Sequence, residues 1–93
     1  MDAGEMLSAF YKKSCADNRI SPTHISLYFA LVHELGNGKF SLPVKCNSLM
    51  DKAKISSRVT YNRCMRELHL YGYIEYMPSY SPGGSMVKMI ELV

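Results

Sequence analysis

The sequence has no apolar run able to span a bilayer. Its longest charge-free stretch, Ile20 to Val32, is broken by Ser21, Pro22, Thr23, His24 and Ser26, and falls short of the roughly 20 apolar residues a transmembrane helix needs. A secretory leader is not expected either, because Met1 to Phe10 carries Asp2 and Glu5 where such a signal carries Lys or Arg. The expected location is the cytoplasm, with no membrane partner. Disulfides are also lacking as a framework: Cys15, Cys46 and Cys64 are an odd count without a close pair, which suits a reducing compartment. No Cys-x-x-Cys pair and no His-x(3–5)-His pair joins His24, His33 or His69 to a metal motif, so no metal is expected. There is no glycine-rich phosphate loop, and 93 residues leave little room for a pocket holding a nucleophile, a base and an orienting group. An enzyme is not expected, and no cofactor is implied.

What the chain does have is enough apolar material for one packed unit. Aliphatic, aromatic and sulfur side chains make up 47% of it and charged ones 20%, which argues against disorder. The net charge of +3 is unevenly spread. Residues 45–71 hold Lys45, Lys52, Lys54, Arg58, Arg63 and Arg66 against Asp51 and Glu67, a local +4, while the flanking segments cancel or are slightly acidic. Positive potential concentrated on one part of a small surface favours a polyanionic partner.

Periodicity gives the elements. Met6, Leu7, Phe10, Tyr11 and Cys15 recur at helical spacing from about Glu5 to Asp17, with Lys12 and Lys13 turned away. Ser21-Pro22 is a helix start, and Ile25, Tyr28, Phe29, Leu31, Val32 and Leu35 make a broad apolar face that ends at Gly36-Asn37-Gly38. Phe40, Leu42 and Val44 alternate with Ser41 and Pro43 as a short edge strand. A short helix over Cys46 to Ala53 follows, then Ile55 and a serine cap at Ser56 or Ser57. A helix from Arg58 to Tyr71 buries Tyr61, Cys64, Met65 and Leu68 and stops at Gly72. Ile74, Tyr76, Val87 and Met89 alternate around the turn-rich segment Pro78 to Ser85 as a β-hairpin. The fold class expected is α+β and mostly helical.

The stretch from Ile55 to Ile74 resembles the recognition helix and first wing strand of a bacterial winged helix-turn-helix domain. A capping serine, core positions at Tyr61, Cys64, Met65 and Leu68, Gly72 and a strand opening with Ile74 carry the resemblance. Leu27-Tyr28, Thr60-Tyr61, Glu67-Leu68-His69, Gly72-Tyr73-Ile74 and Pro78-Ser79-Tyr80 are similar to small DNA-binding or replication-associated proteins of bacterial mobile elements. The resemblance covers about Ser21 to Val93. It implies a winged helix of three core helices and a C-terminal hairpin over residues 21–93, preceded by an extra amphipathic helix in residues 1–20. It also implies sequence-specific binding of double-stranded DNA, as a transcription regulator or as an accessory factor of a mobile element. The DNA-binding part of a replication initiator, or a winged helix used for protein contact, are the alternatives.

On that reading the helix over about 57–71 enters the major groove. Val59, Asn62, Arg63 and Arg66 lie on its outer half and Arg58 on its flank; Arg can bond guanine bidentately and Asn adenine. Lys45, Lys52, Lys54, Ser56, Ser57 and Thr60 are placed around its start, and Tyr80 and Lys88 on the hairpin, as DNA contacts. The hairpin tip has no Arg or Lys between Pro78 and Ser85, so the helix is expected to contribute more than the hairpin. Leu70, calculated to face outward, and the first helix leave apolar surface for which a homodimer is one use; if the first helix packs on the second instead, a monomer is expected.

Overall fold

A computed structural model describes residues 3–35, 41–79 and 84–92. It is an α+β fold of four helices and one three-stranded antiparallel sheet. The helices are α1 (Ala3–Cys15), α2 (Pro22–Leu35), α3 (Cys46–Ala53) and α4 (Arg58–Leu70); the strands are β1 (Ser41–Val44), β2 (Ile74–Met77) and β3 (Ser85–Met89). No helix among the described residues is long and apolar enough to cross a membrane. The expected stop at Gly36-Asn37-Gly38, Phe40 and Tyr80 lie outside the described residues.

Pro22 opens α2, where its missing N–H costs nothing. The buried face of α2 is turned relative to the one expected. Leu27, Tyr28, Leu31 and Leu35 are fully buried and Ala30 nearly so, while Ile25 and Phe29 remain 38% and 50% exposed. The turn follows from α3, which packs along the Ala30 side; there the Ser26 hydroxyl donates to the Ala53 carbonyl.

The first helix belongs to the same core. Met6 and Phe10 are buried, and the Phe10 ring stacks on Tyr28 at 3.9 Å and meets Tyr73 edge-on at 5.3 Å. Its inward face also differs from the one expected. Lys13 is drawn in, its Nζ donating to the Gly72 carbonyl at 3.4 Å and lying 4.5 Å from the Tyr73 ring centre, whereas Tyr11 and Cys15 are exposed. An ammonium can satisfy both a carbonyl and an aromatic face, so it outcompetes the weakly placed apolar side chains for that position.

Two helices end in the same hydrogen-bonded motif. At the end of α4, Tyr73 N–H donates to Leu68 O and Gly72 N–H to His69 O, with Gly72 at φ 87°. At the end of α3, Ile55 N–H donates to Met50 O and Lys54 N–H to Asp51 O, with Lys54 at φ 61°. A left-handed residue after the last turn lets the orphan carbonyls be met. Ser57 is the serine that caps α4, its hydroxyl accepting from Thr60 N–H at 3.2 Å.

The hairpin strands β2 and β3 pair as expected, and β1 adds to β3, giving the order β1-β3-β2. Pro43 sits on the outer edge strand, where no ladder N–H is needed, while Leu42 and Val44 point to the core beside Val87 and Met89. Gly84 has φ 84°, and a Cβ there would come within 2.5 Å of the Val44 carbonyl oxygen. Only glycine lets the hairpin return past the end of β1.

Candidate functional site

The basic segment is split by the fold over α3, the turn after it and α4. Tyr61, Cys64, Met65 and Leu68 turn one side of α4 into the core, as the spacing predicts. Val59, Arg63, Arg66 and Leu70, spaced by four, three and four residues, form a row on the opposite side. All four are exposed, with Val59 at 78% and Leu70 at 76%. Arg63 points its Nε toward Glu67 Oε1 at 3.6 Å and keeps a largely exposed guanidinium. Arg66 has no ion-pair partner among the described residues.

Arg58 is held differently. Its guanidinium reaches back to the start of α3, donating to Asn47 Oδ1 at 2.9 Å and contacting Cys46 Sγ at 3.4 Å. The contact fixes α4 against α3. Arg58, Asn62 and Arg66, with Tyr61 and Tyr76, line a concavity of about 340 Å³ that runs from α4 to the base of the hairpin. Ser79 and Ser85 close the hairpin side, where Ser79 N–H donates to Ser85 Oγ at 3.0 Å. A hydrogen bond from the Tyr76 backbone N–H to the His69 side-chain Nδ1, 3.0 Å, ties β2 to α4.

The other expected contact residues are placed elsewhere. Lys52 pairs with Glu34 of α2 and, with Lys54, lines a separate concavity beside Phe29 and His33. Lys45 is exposed at the end of β1, near Gly84. Ser56 is exposed in the turn, and Ser57 and Thr60 are occupied by the cap. Lys88 projects from the outer face of the sheet opposite Glu75. Thus Arg58, Val59, Asn62, Arg63 and Arg66 are brought onto one surface; Lys45, Lys52, Lys54 and Lys88 are not gathered with them.

Two side chains that the spacing rejects as metal ligands, His24 and Cys64, meet in space with Glu67, which the spacing does not single out. Among the described residues, His24, Cys64 and Glu67 bring their ligand atoms within 4.8 Å of one another. The local hydrogen bonds decide what this cluster is. Ser21 N–H donates to His24 Nδ1 at 2.9 Å, so the proton of the neutral ring sits on Nε2 and is donated to Glu67 Oε1, also at 2.9 Å. A metal on Nε2 would break the bond to Glu67 and move the ring proton to Nδ1, where the Ser21 N–H and the Ser21 Oγ both lie at 2.9 Å. Burial also pushes the Cys64 thiol up, away from the thiolate that metal binding needs. The ring and the carboxylate are a hydrogen-bonded pair joining α2 to α4. Sequence reasoning missed this pair, as well as Asn47, which holds Arg58, and Tyr76 in the groove. No short-range pattern marks contacts made across 43 residues.

Comparison with protein-family models, curated proteins and solved structures finds no match to this chain.

Proposed function

We propose that the chain is a winged-helix domain that binds double-stranded DNA in a sequence-specific way, with α4 in the major groove and the β2–β3 hairpin as the wing. The observation that carries the reading is the outer face of α4, where Val59, Arg63 and Arg66 project together beside a concavity containing Arg58 and Asn62. An α-helix of this width fits the major groove, and these side chains offer the bidentate and apolar contacts that distinguish base edges. The short α3 and its tight turn precede α4 as in a helix-turn-helix pair. The resemblance to small proteins of mobile elements makes a transcription regulator or accessory factor the role we favour, acting in the cytoplasm with DNA as partner and without chemistry of its own. A replication initiator built on such a domain would present the same surface.

The test is selection of bound sites from random duplexes, followed by salt titration of the recovered site. Arg63→Ala is expected to weaken that site by roughly 1–3 kcal/mol and to relax preference at one position. Arg66→Ala, if it meets phosphate, is expected to weaken all duplexes alike and to lower the salt slope by about 1. Equal affinity of the wild-type protein for every duplex would refute sequence-specific reading, and lack of any duplex binding would refute the DNA reading itself. A protein partner would then be sought for the same face, since Leu70 leaves apolar surface at its far end.

A further inference from the structure

The first two turns of α4 leave few side chains free to reach outward. Arg58 is bonded back to Asn47, Thr60 is half-buried behind the Ser57 cap, Tyr61 is core, and Asn62 lies within the groove toward Tyr76. Val59 and Arg63 remain. Val59 is the more exposed large apolar residue of the pair of such residues on this helix, 78% against 76% for Leu70. It stands in the first turn, where a recognition helix touches base edges. Leu70 sits eleven residues further on, about 16 Å along the axis, at the opposite end of the helix from that first turn.

Val59 has neither donor nor acceptor, and a β-branched side chain is a poor choice for an exposed helix position. Within the major groove only one ordinary base edge offers an apolar surface, the C5-methyl of thymine. We infer that Val59 is a specificity-determining residue that packs on a thymine methyl group, next to the guanine that Arg63 is positioned to read. Side chains four apart on a helix lie about 5–6 Å from one another, and base pairs on one strand rise about 3.4 Å. The thymine therefore falls within about two base pairs of that guanine. The inference rests on the DNA reading proposed above and adds the chemical identity of one recognised group.

Removal of the methyl alone tests it. In the duplex recovered by selection, each thymine is replaced in turn by deoxyuridine, which keeps every hydrogen-bonding group and loses only the C5-methyl. With the full chain, one such replacement is expected to weaken binding about fourfold, the worth of one buried methyl group. With Val59→Ala that same replacement is expected to have no effect; circular dichroism identical to wild type would show that this exposed-site variant is folded. Wild-type indifference to deoxyuridine at every thymine overturns the inference and leaves the DNA reading standing. A deoxyuridine penalty that persists undiminished in Val59→Ala also overturns it, because another group would then hold the methyl. Failure of the wild type to bind any duplex overturns both.

Discussion

At the scale of single residues, two glycines at similar φ angles carry different weights. Gly72 has only the flexible Lys13 ammonium near the place a Cβ would take, at 3.5 Å, whereas Gly84 faces the backbone carbonyl of Val44 at 2.5 Å. Gly72→Ala is expected to cost about 1–2 kcal/mol from the left-handed backbone alone, and Gly84→Ala clearly more, with loss of the β1–β3 pairing; urea midpoints and amide exchange in β1 would separate them. Tyrosines give the pH dependence. Burial pushes the Tyr28 phenol up to about 12, and burial together with its bond to Asp17 Oδ2 at 3.0 Å pushes Tyr73 up to about 12. An unfolded tyrosine ionises near pH 10, roughly. Both groups therefore contribute stability that is complete below about pH 10 and is lost as pH rises toward 12. Phenolate absorbance followed with far-ultraviolet circular dichroism should show these two rings ionising together with unfolding. At the acid end the Arg19 guanidinium beside Asp17 holds that carboxyl well below the usual range, so its contribution is present above about pH 4 and fades on acidification.

At the scale of elements, the reading from sequence was good where structure is local. The 3.6-residue period placed α3 and α4, the serine cap and Gly72 with little error, because each depends on neighbours a turn away. It errs where a second element chooses the buried side: the period puts Ile25 and Phe29 in the core and Lys13 in solvent, although α3 and Tyr73 decide otherwise. The end of α3 was also hard to see, since the left-handed position is filled by Lys54 rather than glycine. A lysine at φ 61° is strained by about 1 kcal/mol relative to glycine. Lys54→Gly is thus expected to raise the urea midpoint modestly. If Lys54 also meets a phosphate, the same change lowers affinity for all duplexes, and a variant that is more stable yet binds less well would show that a backbone cost is retained for the sake of the charge.

At the scale of the whole molecule, the first helix cannot be set apart from the rest. A boundary near residue 20 looked natural from the resemblance, which does not cover α1, yet Phe10 fills the space between Tyr28 and Tyr73, and Asp17 and Lys13 bond to Tyr73 and Gly72 across more than fifty residues. The apolar face that suggested a dimer is in this measure occupied within the chain by Met6 and Phe10. A fragment beginning at Ser21 is expected to lose roughly 3–6 kcal/mol from those two side chains, comparable with the whole stability of a small domain, about 5–15 kcal/mol. A thermal melt of that fragment should be broad or absent; a sharp transition near that of the full chain would show α1 to be an accessory. Of the candidate surface, the residue types and their charge excess were legible, but the bond that parks Arg58 on Asn47 and the His24–Glu67 pair were not, because they join segments remote in sequence. The order β1-β3-β2 has one more bearing, on synthesis. Of the described strands the middle one is the last in sequence, so β1 and β2 emerge with no strand between them and wait with open edges until Ser85–Met89 arrives. A stop codon anywhere between Met77 and Ser85 would release a chain with all four described helices and no strand to join β1 to β2, a species with unpaired strand edges that quality control should remove.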